Sequence, residues 1–297
     1  VSTIDLRSRN SADTANDSGI LTFVDASGFD IANLATTNDI NLTAGGVISD
    51  GGSISGKVLT TSSVGGTILD AGHAVTNFNA ANSGSGNIQL NVTTPNSLTI
   101  SGISQAGGGN VLIENDGNIT ISGAVATGGG NFNVMNAGSL AINNIVDAGT
   151  GNVTLTSTGA ISDSALGAVT ATLLTAKTIN DSGTNINLNS VGHVVDQINL
   201  QVRNAADTAD ANGTITYFDN SNVDAALIRT LGSVTLVTGG DITQSGLMTG
   251  SSLTARTENN TGADIILTNA NNLFSSVNLQ TRDATNTADA AGIIQYT

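Results

Sequence analysis

The chain of 297 residues contains no cysteine and no tryptophan, and a single proline. Without cysteine there is no disulfide, no thiolate chemistry and no cysteine-bound metal. Six Phe and two Tyr are the only aromatics, which excludes a conventional aromatic-rich core. Charged residues make up 10% of the chain, against about 25% in ordinary globular domains. Of the 23 acidic residues only Glu114 and Glu258 are glutamates; the rest are Asp, a turn residue. The 8 basic residues, Lys57, Lys177 and six arginines, leave a net charge of −15. A nucleic-acid binder needs a basic footprint, so that class is excluded, and adhesion to anionic lipid is disfavoured for the same reason. No apolar run approaches about 18 residues, so no membrane insertion as a helix is expected. The opening Val1-Ser-Thr-Ile-Asp5 does not read as a signal peptide, which fits a cytosolic chain or a mature or internal piece of a longer secreted one.

What is present is Gly, Ala, Asn, Ser, Thr and Asp, punctuating Val, Ile and Leu. With 39% apolar residues the chain can bury a core, and its low charge argues against disorder. The diet suits a repetitive β-structure, and internal repeats confirm a period. Gly86-Asn87-Ile88-Gln89-Leu90 recurs as Gly109-Asn110-Val111-Leu112-Ile113, as Gly130-Asn131-Phe132-Asn133-Val134 and as Gly151-Asn152-Val153-Thr154-Leu155. The starts are spaced by 23, 21 and 21 residues, and the longer first interval holds Pro95 in a turn. A second apolar pair follows in each unit: Leu98/Ile100, Ile119/Ile121 and Leu140/Ile142.

Each unit therefore holds three short stretches of period-2 alternation, which is a strand pattern. No sustained 3.6-residue pattern exists, and the helix formers Glu, Lys and Met are nearly missing. The predicted fold is all-β, a right-handed parallel β-helix (β-solenoid) of about 12–13 coils of ~21–27 residues. At about 4.8 Å per coil this is a rod of roughly 60 Å. Asn87, Asn110, Asn131 and Asn152 are expected to form an asparagine ladder at one corner, their amides bonding along the axis.

A longer repeat overlays the short one. Ile4–Phe23, with Arg9, Asn10, Asp13, Thr14 and Ala15, matches Ile198–Tyr217, with Arg203, Asn204, Asp207, Thr208 and Ala209. A third copy runs from Val277 through Arg282, Thr287 and Ala288 to Tyr296, and a shortened one starts at Phe78. Other parts recur in the same order. Gly46-Val-Ile-Ser-Asp50 parallels Gly159-Ala-Ile-Ser-Asp163 and Gly240-Asp-Ile-Thr-Gln244. Gly72-His73 parallels Gly192-His193, with Asn271-Asn272 in the third place. One continuous β-helix domain over 1–297 is expected, in cassettes of approximately 1–74, 75–194, 195–273 and a partial 274–297. Since 274–297 aligns with 1–24 and no polar cap is visible, the chain reads as a cut from a longer array or a subunit stacking end to end.

Three stretches resemble the repeat region of filamentous haemagglutinin-type bacterial exoproteins, secreted by the two-partner route. They are Ala74-Val-Thr-Asn-Phe-Asn-Ala-Ala-Asn-Ser-Gly-Ser-Gly-Asn-Ile-Gln-Leu90, Leu98-Thr-Ile-Ser-Gly-Ile-Ser-Gln-Ala-Gly-Gly-Gly-Asn-Val111 and Gly117-Asn-Ile-Thr-Ile-Ser-Gly-Ala-Val125. The likeness runs through essentially the whole chain. It implies a β-helical fibre at a Gram-negative cell surface, outside the cell, with roles in adhesion or biofilm, or as the stick of a contact-dependent toxin. An outer-membrane transporter is the implied partner. Contact with a host or neighbouring cell is expected through regions beyond this stretch, since no counterpart of the amino-terminal secretion domain is found here.

The chemistry expected is sparse. Many parallel β-helices cleave polysaccharides, so a carbohydrate-active enzyme is the alternative reading. Uronate-cleaving sites need clustered carboxylates, Lys or Arg to hold anionic sugar, and aromatic platforms. Here the basic residues are dispersed, and no catalytic residue is assigned. Asp207 and Asp210 share an insert with Arg203, which reads as an Arg–Asp pair ordering a turn. His73 and His193 read as stacking or turn residues, because the third copy uses Asn272. No cofactor is expected; calcium is the one candidate ligand, with Asp13, Asp17, Asp207 and Asp210 offering hard oxygens. The Gly-Gly-x-Gly-x-Asp nonapeptide of calcium-binding β-rolls is absent. The expected function is a non-catalytic shaft or filament segment, its partners being neighbouring repeats or identical subunits.

Overall fold

The computed structural model describes residues 1–297. The protein is all-β, with 30 strands, no helix, and parallel strands stacked as a β-solenoid of about 12 turns in all. Strand length follows the punctuation, from two residues at Val125–Ala126 to eleven at Val169–Ile179. Two compact units are distinguished: Val1–Gly138 with Asp147–Gly151, and Ser139–Val146 with Asn152–Thr297.

In the first unit the period-2 pattern becomes burial. Ile88–Val92 and Val111–Asn115 both alternate buried and half-buried residues, because successive side chains of a strand face opposite sides. The register is in phase: Val111 pairs with Ile88 on one side and Phe132 on the other, and Ile113 with Leu90 and Val134. Each coil thus lays an apolar side chain on the one before it. The same rule aligns Leu98 with Ile119 and Ile100 with Ile121. Phe29, Phe78 and Phe132 all lie in this core, at 3% exposure or less, so the stacked columns do admit aromatic rings.

In the second unit Ile215 pairs with Ile186 and Val234, and Tyr217 with Leu188 and Leu236. Val234 and Leu236 continue to Leu253 and Ala255, and these to Val277 and Leu279.

Polar residues close the corners from inside. Thr238 Oγ1 donates to the Gly240 carbonyl at 2.6 Å, and Thr257 Oγ1 to the Ala263 carbonyl at 3.2 Å. In the first unit Asn82 Nδ2 donates to the carbonyls of Gly84 and Gly86 and to Gln105 Oε1. Such bonds satisfy carbonyls that a turn removes from the ladder. Adjacent turns also leave no room for a side chain: a Cβ at Gly86 falls 1.7 Å from the Gly65 carbonyl oxygen.

Candidate functional site

The most organised polar groups lie where two cassette features meet. Asp50 lies in the strand Val47–Ser55, and His73 closes the strand Gly66–His73 on the following coil. His73 Nε2 lies 2.9 Å from Asp50 Oδ2, with both side chains fully buried. The approach is too bent for a hydrogen bond, so this contact is chiefly electrostatic. His73 Nδ1 accepts the Ile54 main-chain N–H at 3.1 Å. The Asp50 carboxylate accepts the N–H groups of Asp70 and Ala71, both at 3.1 Å. Because Nδ1 is an acceptor, the proton of the neutral ring sits on Nε2, facing the carboxylate.

The second unit repeats the arrangement. His193 Nε2 donates to Asp163 Oδ2 at 2.8 Å, again with no exposure of either side chain. His193 Nδ1 accepts the Val169 N–H at 2.9 Å. Asp163 accepts the N–H groups of Asn189 and Ser190 at 3.0 and 2.9 Å. The third copy keeps the geometry with neutral amides. Asn272 Nδ2 donates to Gln244 Oε1 at 3.0 Å, and Gln244 Nε2 donates back to Asn272 Oδ1. Asn272 Oδ1 also accepts the Met248 N–H, and Gln244 Oε1 the Asn269 N–H, each at 3.3 Å. In all three places one side chain accepts a main-chain N–H from the next coil and faces a ring or amide there. That ring or amide reaches back to an N–H of the coil below. The unit is a staple between coils.

Beside the second staple stands a carboxylate hub. The Tyr217 ring stacks on His193, with centroids 5.5 Å apart and planes at 14°. Tyr217 Oη donates to Asp219 Oδ2 at 2.6 Å, and the Val195 N–H donates to the same oxygen at 3.1 Å. Asp219 Oδ1 accepts both the N–H and the hydroxyl of Ser221. Burial pushes the Asp219 carboxyl above its ordinary value, and the Ser221 and Tyr217 bonds hold it back. Burial also pushes the Tyr217 hydroxyl well up, with the Asp219 charge acting in the same direction.

The inserts fold as hairpins around an arginine. Arg9 Nε donates to Asp13 Oδ1, Nη1 to Asn16 Oδ1 and Nη2 to the Asp13 carbonyl. Arg203 makes the same three bonds to Asp207, Asp210 and the Asp207 carbonyl. Arg282 makes them to Asn286, Asp289 and the Asn286 carbonyl. The residue at the clamped turn is left-handed each time, with φ of 53°, 55° and 54° at Asp13, Asp207 and Asn286; Asp and Asn tolerate this region better than other side chains. Asn10 and Asn204 accept the N–H groups of Thr14 and Thr208, both at 2.9 Å, and Asp283 that of Thr287 at 2.7 Å.

The calcium candidates are not gathered into a cage. Asp13 is held by Arg9, Asp207 by Arg203 and by Lys177 at 2.6 Å, and Asp210 by Arg203 and Arg229. Asp17 accepts its neighbour Ser18 N–H at 2.7 Å. No group of three or more His, Cys, Asp or Glu side chains is placed to hold a metal ion.

Along the asparagine corner, Asn87 Oδ1 accepts the Asn110 N–H and Asn110 Oδ1 the Asn131 N–H, both at 2.9 Å. These bonds join side chain to main chain rather than amide to amide. Asn152 holds the same position ahead of Val153–Ser157 in the second unit. Within that unit the same kind of bond links Asn222 to the Asp241 N–H, and Asp241 to that of Asp264. Acceptance of a main-chain N–H needs only a short side chain with an oxygen, so Asp serves as well as Asn.

A shallow cavity of about 280 Å³ is bordered by Val191, Phe218, Asp219, Glu258 and Ala284. Its two carboxylates are committed, Asp219 to the hub and Glu258 to Arg256 at 2.7 Å. The repeats of the sequence align Asp50 with Asp163 and His73 with His193 without pairing them, and they do not mark Tyr217, Asp219 or Asn82. The one available signal was the joint change to Gln244 and Asn272 in the third copy. Comparison with known protein families, with curated proteins and with solved structures gave no match.

Proposed function

We propose that this chain is a structural segment of an extracellular bacterial fibre, a non-catalytic shaft of the filamentous haemagglutinin kind. The observation that carries this reading is the replacement of a buried His–Asp pair by an Asn–Gln pair at the third staple. Acid–base chemistry needs groups that titrate, whereas joining coils needs only donors and acceptors in the right places. The most concentrated polar chemistry of the chain is thus used for cohesion. The arginine clamps support the same reading, since each guanidinium is spent on its own hairpin. Adhesion would belong to regions beyond this stretch, an outer-membrane transporter would be the secretion partner, and identical or neighbouring repeats would be the contacts along the fibre.

Two measurements on the purified chain test the proposal together. Electron microscopy is expected to show extended particles, and incubation with acidic polysaccharides across pH and calcium to release no sugar. Polysaccharide cleavage that disappears in a substituted variant of the 297-residue chain would overturn it in favour of a carbohydrate-active enzyme.

A further inference from the structure

The three staples share one geometry but not one chemistry. In each, a main-chain N–H of the coil below ends on the side chain that crosses from the coil above: Ile54 on His73 Nδ1, Val169 on His193 Nδ1, Met248 on Asn272 Oδ1. An imidazole can accept this bond only while Nδ1 carries no proton. A second proton on the ring places two N–H groups face to face and removes the acceptor. An amide oxygen accepts the same bond at any ordinary pH.

We propose that the His73–Asp50 staple is an acid-operated latch, which releases the main-chain bond to Ile54 when the ring takes a second proton, while the Gln244–Asn272 staple stays closed.

The surroundings decide how readily this latch opens. Around His73 the titratable groups are Asp50, in contact through Nε2, and Asp70, whose charge acts from the same coil. Both favour the charged ring, as does the Leu69 carbonyl, yet burial outweighs them and holds the His73 imidazolium below its ordinary value of 6.5. A ring kept neutral by the fold and charged in the unfolded chain makes the fold lose stability as pH falls below about 6.5. At the third staple the residues in these places, Gln244, Asn269 and Asn272, do not titrate.

Amide hydrogen exchange read residue by residue on the full chain tests this without any substitution. After correction for the intrinsic pH dependence of exchange, Ile54 is expected to lose at least about tenfold in protection between pH 7 and pH 4.5. Met248 is expected to change less than about twofold. Long-range ¹H–¹⁵N correlation of the two imidazoles is expected to show an unprotonated Nδ1 at pH 7. The paired substitution His73→Asn with Asp50→Gln, copying the third staple, is expected to abolish the pH dependence at Ile54. Equal loss at Ile54 and Met248, no loss at Ile54, or a proton on His73 Nδ1 at pH 7 would each overturn the proposal. None of these readings depends on where the fibre resides, so their failure leaves the shaft reading untouched.

Discussion

His193 and Asp163 stand 30 residues apart in sequence and 2.8 Å apart in space, both fully buried, and in the next cassette Asn272 and Gln244 fill their places. Reciprocal replacement of both members keeps a main-chain bond at each end of the staple: Met248 N–H to Asn272, where Val169 N–H meets His193, and Asn269 N–H to Gln244, where Asn189 N–H meets Asp163. The pair thus acts as a unit, and its value lies in how it joins coils.

This sets an order among substitutions. His193→Ala leaves a buried carboxylate without its ring donor and is expected to cost about 3 kcal/mol, the upper end for a hydrogen bond to a charged group. Asp163→Ala also strands the Asn189 and Ser190 N–H groups and is expected to cost at least as much. The double replacement His193→Asn with Asp163→Gln is expected to recover about 1–2 kcal/mol relative to the sum of its single replacements. Local opening free energies from hydrogen exchange at Val169 supply the comparison. Additive losses would show that the two side chains are not coupled.

The Tyr217–Asp219 hub predicts a pH dependence of the opposite sign to that of His73. The folded-state carboxyl of Asp219 is raised, so its contribution to stability is fullest below the unfolded value of 3.8 and is lost as pH rises through the folded value. Tyr217→Phe removes the 2.6 Å bond to Oδ2 and is expected to cost about 1.5–3 kcal/mol at pH 7, the range for a hydrogen bond to a charged group. The loss is expected to shrink toward pH 4 as the carboxyl is protonated. Denaturant titrations of both proteins at pH 4 and pH 7 read this out, and a loss that grows on acidification would contradict it.

The arginine clamps differ in burial, and their value should follow. The Arg203 side chain is 7% exposed and that of Arg9 is 33%. Arg203→Ala is expected to cost about 2 kcal/mol, as for hydrogen bonds to charged groups. Arg9→Ala is expected to cost under about 1 kcal/mol, as for an exposed ion pair. Proteolytic nicking within 204–210 and 10–16 measures the loosening of each hairpin, and equal susceptibility would count against the argument.

The two kinds of asparagine should separate in the same way. Asn110 is exposed, and water can replace its oxygen at the Asn131 N–H. Asn110→Ala is expected to cost about 0.5–1 kcal/mol. Asn82 is 1% exposed and serves two carbonyls and Gln105. Its replacement by Ala is expected to cost about 2–3 kcal/mol, since buried acceptors are left unpaired. Thermal unfolding of the two variants side by side distinguishes them.

The repeat of Gly-Asn before each apolar run was legible in the sequence because it is local: glycine allows neighbouring turns to touch, and the asparagine precedes the strand it serves. The hairpins were legible for the same reason. Arg203, Asp207 and Asp210 lie within eight residues, and the turn reading of that insert matches the bonds they make. The buried amides of Asn82 and Gln105 were hidden, since nothing in composition distinguishes an inward Asn from an outward one.

The sequence by itself determined that this chain alternates with period 2, breaks every few residues and repeats, and these local properties are enough to specify stacked parallel coils. Only the tertiary structure decided which polar residues meet. The partners of the three staples are separated by 23, 30 and 28 residues, because the turns between coils differ in length and the excess is taken up outside the strands. No fixed spacing can announce such a pair. It is formed when stacking brings two corners together and burial leaves each side chain only the other and the adjoining main-chain groups as partners.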